Sequence, residues 1–361
     1  MLRALDLPPF ARLPRDAVTS TRRTSAQASL ALLLLLAGCG SRTGLEGPLS
    51  DTLSDAGPPK DDAARPTPQS ILLFGGLGAT PDGGYADRND TWLWTATSGW
   101  TEAHPPQSPS PRFGAMAASL GGDVVLFGGS QRAAETWAWN GATWAQRQPS
   151  WSPPPLVDSV FSVLGQGLVL FGGYDSGTVY HDVWQWDGTT WTHGNPAVVP
   201  PARQAPAGAV LDGSLVIFGG EDTDFLPLGD TWVYDGTSWT QKQPAHSPSP
   251  RRGAVAAARD GRVVLFGGDT LPPSYGLWRS VDETWVWDGT DWTQAHPAQS
   301  PEARSFAGMA AAGGQVVLFG GSTFGGSFGE PSGTWTWDGT TWTRFTGPGP
   351  EPRNYPTMAA R

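Results

Sequence analysis

The chain has 361 residues, of which 39% are hydrophobic and 16% charged, with 48 glycines, 34 prolines and a net charge of −10. An acidic balance argues against a nucleic-acid partner, which needs basic patches to displace counterions. Without a period, so much glycine and proline would point to disorder; here both recur at fixed places and punctuate many short strands.

Residues 1–38 contain Arg3, Arg12, Arg15, Arg22 and Arg23, then the apolar run 30–37, Gly38 and Cys39, the only cysteine. A basic flank, a short apolar core and small residues are the organisation of a secretory signal, and the run is too short to span a bilayer as a helix. Leu36-Ala37-Gly38-Cys39 resembles the bacterial lipobox. The resemblance implies cleavage before Cys39 and lipidation of its thiol, and Gly40 in place of Asp implies retention at the outer membrane. Several acyl chains give stable anchoring. Residues 39–69 are rich in Gly, Pro, Ser, Thr and Asp without a hydrophobic period, so they read as a lipidated N-terminus and disordered linker.

The domain proper is 70–361, organised on an apolar run ended by Gly-Gly that is written six times: 71–76, 124–129, 168–173, 215–220, 263–268 and 316–321. The final glycines are 53, 44, 47, 48 and 53 residues apart. A period near 50 has to be read before anything else. Each run reads as a buried strand, with glycine where the backbone must turn away. In the copy 249–293, a small-residue strand is expected over 250–258, then a turn at 259–261 and the diglycine strand. An aromatic strand holding Trp285 and Trp287 follows, then a tight Asp288-Gly289 hairpin turn and a fourth strand opened by Trp292.

This order of strands resembles the kelch β-propeller family. Diglycine, paired aromatics (Trp92/Trp94 through Trp335/Trp337) and a final tryptophan (Trp100, Trp144, Trp191, Trp239, Trp292, Trp342) recur in register. The gap from aromatic pair to final tryptophan is four residues, five in the first repeat, shorter than in many kelch repeats. The resemblance implies an all-β, six-bladed propeller of four-stranded antiparallel blades. The first repeat lacks its small strand, and 352–360 repeats that pattern at the C-terminus, so the last strand is expected to close the ring beside 71–74.

In such a meander the 2–3 loops and the blade-to-blade linkers share one face. From the glycines to the aromatic strand the 2–3 loops run 14, 6, 9, 10, 15 and 12 residues, whereas the opposite turns are nearly uniform. Varied loops on a rigid scaffold are where binding sites usually lie. Candidate ligand-face residues are Tyr174, Asp222, Tyr275, Trp278 and Arg279, together with Arg112, Arg203, Arg251, Arg304 and Arg353, which begin the first strands of five blades. Five cations around a channel mouth suit a carboxylate or acidic sugar. The bland reading, preferred over an anion site, makes them scaffold. Yet simple pairing with the acids that open the third strands (Asp90, Glu135, Asp182, Asp230, Glu283) finds no support: blade three has Leu156 but keeps Asp182, and blade six keeps Arg304 but has Gly333.

No metal or cofactor is expected. The five histidines are scattered over the repeats, Asp222, Asp224 and Asp230 read as a solvated loop, and one cysteine excludes a kelch copper-radical oxidase. No catalytic set converges. The expectation is a monomeric, lipid-anchored binding module for a protein or glycan. The alternative is a carbohydrate-active enzyme of sialic-acid epimerase or sialidase type, for which no residue-level motif carries over.

Overall fold

The computed structural model describes residues 68–130, 134–272, 276–323 and 333–361. Every element in them is a strand, and six four-stranded antiparallel sheets follow one another, one per repeat. Blade two is Met116–Leu120, Asp123–Phe127, Thr136–Trp139 and Trp144–Arg147, hydrogen-bonded in that order. The expected six-bladed propeller is formed. Ile71 pairs with Ala360, Leu72 with Ala359, Leu73 with Met358 and Phe74 with Thr357, so the C-terminal strand is the innermost strand of blade one. This closure leaves no open inner edge.

Two local expectations are corrected. The first strand of blade five is Val255–Arg259 and does not begin at 250, because the backbone at Gly253 is left-handed (φ 62°) and leaves the ladder. The two-residue hairpin lies between strands one and two, where Asp260 and Gly261 have φ of 48° and 68°. The 3–4 connection spans four residues, because Trp287 pairs with Trp292. There the Asp288 carboxylate accepts the amides of Thr290 (2.8 Å) and Asp291 (2.9 Å), which lowers its pKa to about 2.

The blades are held by their second strands, buried on both faces. Ile71 and Leu73 face blade six, while Leu72 and Phe74 face blade two. The phenylalanine before each diglycine meets the final tryptophan of the next blade. Ring centroids lie 5.3 Å apart for Phe74–Trp144, 4.9 Å for Phe127–Trp191, 4.7 Å for Phe171–Trp239 and 5.4 Å for Phe218–Trp292. Phe266–Trp342 at 5.3 Å and Phe319–Trp100 at 5.8 Å complete the circle. Such pairs contribute about 0.5–1.5 kcal/mol beyond their buried area.

The same tryptophans satisfy their indole N–H across the interface. Trp144, Trp191, Trp292 and Trp342 donate to Thr91, Thr136, Thr231 and Thr284 at 2.9 Å, and Trp100 donates to Thr334 at 2.7 Å. In blade three the threonine position is Val183, and the buried Trp239 indole has no acceptor. A Val183→Thr substitution places a hydroxyl before that donor. It is expected to raise unfolding stability by about 1 kcal/mol, measured by urea titration; an unchanged or lowered midpoint would show that the hydroxyl does not reach the indole.

Candidate functional site

The five arginines are not presented to a ligand. Arg112, Arg203, Arg251, Arg304 and Arg353 are at most 2% exposed. Each sends Nη1 to the carbonyl of the first glycine of its own blade, from 2.9 Å (Arg203 to Gly219) to 3.2 Å (Arg353 to Gly75). Four also bind the acid that opens the third strand: Arg112 to Glu135 (2.6 Å), Arg203 to Asp230 (2.7 Å), Arg251 to Glu283 (2.5 Å) and Arg353 to Asp90 (2.5 Å). Within-blade pairing, which the sequence did not support, is therefore the rule. Blade one obtains its arginine from the C-terminal segment, and the two mismatched blades find local substitutes. In blade six Arg304 binds Glu302 (2.6 Å), and in blade three Asp182 binds His193 (2.7 Å).

The acids serve a second donor. Trp92, Trp137, Trp232 and Trp285 each donate their indole N–H to the acid two residues earlier, at 2.7–3.0 Å. Burial pushes these carboxyls up, but the arginine and indole donors outweigh it and leave all four below the ordinary range. Where the arrangement is incomplete, in blades three and six, the buried Trp184 and Trp335 indoles lack an acceptor.

Two residues beyond each arginine position stands a left-handed residue: Gly114, Asp158, Ala205, Gly253, Phe306 and Tyr355, with φ from 51° to 65°. They are joined around the axis by backbone bonds. Ala205 donates to Asp158 (2.7 Å), Gly253 to Ala205 (3.0 Å), Phe306 to Gly253 (2.8 Å), Tyr355 to Phe306 (2.9 Å) and Gly114 to Tyr355 (3.3 Å). Four of the six are not glycine, and strained backbone of this kind gathers at functional sites. The Phe306 and Tyr355 rings pack against each other with centroids 4.5 Å apart and planes tilted by 31°.

Beside this ring is a charged cluster. Arg252 binds Glu221 (2.6 Å), which also accepts from Gln204 (2.8 Å), and its guanidinium lies 3.9 Å over the Trp278 ring. Trp278, half-buried on the loop face, is thus engaged by a neighbouring side chain. Burial raises the Asp269 carboxyl despite a bond from Ser280. Asp158 keeps some surface, but that surface faces the channel, and the surrounding protein pushes its carboxyl up to about 7. Sequence reading missed Asp158, Glu221 and Arg252. Reading the column two residues past the arginine across all repeats exposes Asp158 as the one acid in it.

On the loop face, three of the 2–3 connections continue as ribbons: Ser70–Ala79 with Tyr85–Thr95, Tyr174–Asp175 with Thr178–Val179, and Asp269–Thr270 with Arg279–Ser280. Tyr174 is half-buried and bridges to Val157, whereas Arg279 is exposed. Asp222 is a brace: its Oδ1 accepts the amides of Asp224 and Leu226 at 2.9 Å, holding up a loop whose Phe225 and Leu226 are about half exposed. Tyr275 lies outside the described residues. Among the described residues, the exposed large hydrophobic side chains are Tyr85, Trp151, Val198, Phe225, Leu226 and Leu277, the last 70% exposed. All six lie on 2–3 loops or blade-to-blade linkers.

Six four-stranded blades, each with a diglycine, five with a buried arginine and four with an indole-bound acid, have the pattern of a kelch propeller. The family model of the KLHDC2/KLHL20/DRC7 Kelch-repeats domain matches residues 63–268. That is more than half of the chain, and the chain belongs to this kelch-repeat family. No individual curated protein matches it.

If the arginines are scaffold, Arg251→Ala should lower stability by roughly 3 kcal/mol, since it strands Glu283 and the Gly267 carbonyl. Chemical denaturation tests this, and a loss below ~0.5 kcal/mol, the range of an exposed pair, would contradict it.

Proposed function

We propose that the chain is an exported kelch propeller, lipid-anchored at Cys39 to the outer membrane, that binds a protein partner through its loop face. The observation that carries the partner reading is the distribution of exposed apolar side chains: among the described residues the large ones gather on that face. Leu226, Leu277 and Phe225 stand on the adjacent blades four and five and suit a protein surface, where apolar anchors in a polar rim dominate binding. The arginines that would favour an acidic sugar are held in ion pairs, which takes away the main support for the sialic-acid alternative. The chain joins the propeller at Pro68, whose carbonyl accepts from Gly313 in a 1–2 turn.

With envelope extract from the source cell and the immobilised chain, the double variant Phe225→Ala/Leu277→Ala is expected to lose at least tenfold in partner retention, as when two hot-spot side chains are removed. Asp288→Ala, on the turn face, should retain the partner. Loss with Asp288→Ala alone would place the site on the other face, and retention of a glycan array ligand in place of protein would favour the glycan reading.

The anchor is tested separately. Cys39→Ser should accumulate unprocessed and leave the detergent phase on partition. A variant still processed and detergent-bound would exclude lipidation at this residue.

A further inference from the structure

The first strands of the blades surround an axial channel of about 1220 Å³. Its wall is made of small or apolar side chains, among them Ala117, Val163, Val210, Ala256 and Ala311. Of the charged side chains lining it, Asp123, Asp187, Arg259, Asp260 and Arg361 belong to the turn-face rim or the C-terminal residue beside it, and Arg147, at the end of an outer strand, binds Asp123 (3.3 Å). Towards the loop face the channel runs into a cavity of about 150 Å³, with Met116, Ala254 and Pro356 common to both walls. Asp158, Phe306 and Tyr355 line this inner cavity. Among the described residues, Asp158 is therefore the one carboxylate along the inner wall.

That carboxylate has no hydrogen-bond donor or ion-pair partner among the described residues. Its Oδ1 lies along the ring, 3.6 Å from where a Cβ on Gly114 would stand. The nearest cation, Arg252, is committed to Glu221 and covered by Trp278. The other titratable groups facing this region are Glu221, Asp269 and Tyr355, and none of them adds positive charge. An unpartnered carboxyl in apolar surroundings is unfavourable unless it is protonated or meets a cation. Beside it the Phe306 and Tyr355 rings, packed against each other, form the aromatic wall of the cavity.

We propose that the inner end of the axial channel is a binding site for an organic ammonium ion, with Asp158 as counter-ion, the Phe306 and Tyr355 rings as walls, and the small-residue strands receiving the apolar part. This site lies on the axis and shares no residue with the exposed side chains of the loop face. Selectivity follows from the lining: an alcohol of the same shape gains the apolar contacts but leaves Asp158 unpaired. An anion is repelled.

The probe is butylammonium, compared with 1-butanol by calorimetry on the purified full chain at pH 8. Butylammonium is expected to bind at least roughly tenfold more tightly, the lower end for a charge-assisted hydrogen bond. Asp158→Asn should bring the two affinities together while 1-butanol still binds, which shows that the cavity has kept its shape. Because the carboxyl titrates at about 7, butylammonium affinity of the unmutated chain should fall between pH 8 and pH 6, while that of 1-butanol stays level. The pH series needs no variant. Stability provides a further control. A raised carboxyl pKa destabilises the fold once pH exceeds the unfolded value, fully so above 7, so Asp158→Asn should melt no lower than the unmutated chain at pH 8. Equal affinity for amine and alcohol, no butylammonium binding at pH 8, or a preference retained in Asp158→Asn would each overturn the proposal.

Discussion

The propeller depends on one contact repeated at every blade boundary: the amide of the second glycine donates to a carbonyl of the next blade. Gly76 reaches Arg112, Gly129 reaches Leu156, Gly173 reaches Arg203, Gly220 reaches Arg251, Gly268 reaches Arg304 and Gly321 reaches Arg353, all at 2.9 Å. The glycines cannot be replaced, because both have positive φ, 62° and 107° at the first boundary, and a Cβ on Gly75 would stand 2.5 Å from the Arg112 carbonyl. The arginine links the two sides: its backbone belongs to this inter-blade bond, while its guanidinium binds the first-glycine carbonyl and the acid of its own blade. Side-chain truncation there loosens a blade, and backbone displacement loosens a boundary.

The exceptions are informative because the scaffold tolerates them in a chemically consistent way. Blade three has Leu156 for arginine and Val183 for threonine, and it keeps the inter-blade amide bond, which needs only a backbone carbonyl. What it loses are side-chain bonds, visible as the unsatisfied Trp184 and Trp239 indoles. Blade six replaces its acid with Gly333 and keeps a buried guanidinium by drawing on Glu302. Burial lowers Arg304 to about 10, still protonated at neutral pH. A buried arginine persists wherever some carboxylate satisfies it, because an uncompensated buried charge is far more costly than a missing bond.

This scaffold presents two surfaces of different chemistry. The loop face carries exposed apolar side chains on braced loops and ribbons. The channel is lined by small residues because six strands converge on the axis. Only its inner ring, freed from ladder bonding by left-handed backbone, accepts side chains as varied as Asp158, Phe306 and Tyr355. Variation there leaves the blades undisturbed, since the ring is held by main-chain bonds.

Much was legible in the sequence. Diglycine, aromatic pair and final tryptophan recur at a fixed period, so strand order, blade number and closure by 352–360 followed from local pattern and from the one missing first strand. The role of the arginines did not follow. Pairing compared repeat by repeat failed because blade one takes Arg353 from the far end of the chain, and because His193 and Glu302 are substitutes that no register predicts. Nor does the sequence show that Arg252 lies over the Trp278 ring, a contact that only the fold makes. The sequence by itself determined the architecture, since that rests on short-range periodicity. The tertiary structure alone decided which charges are satisfied and which, like Asp158, face the channel, because satisfaction depends on neighbours from other blades.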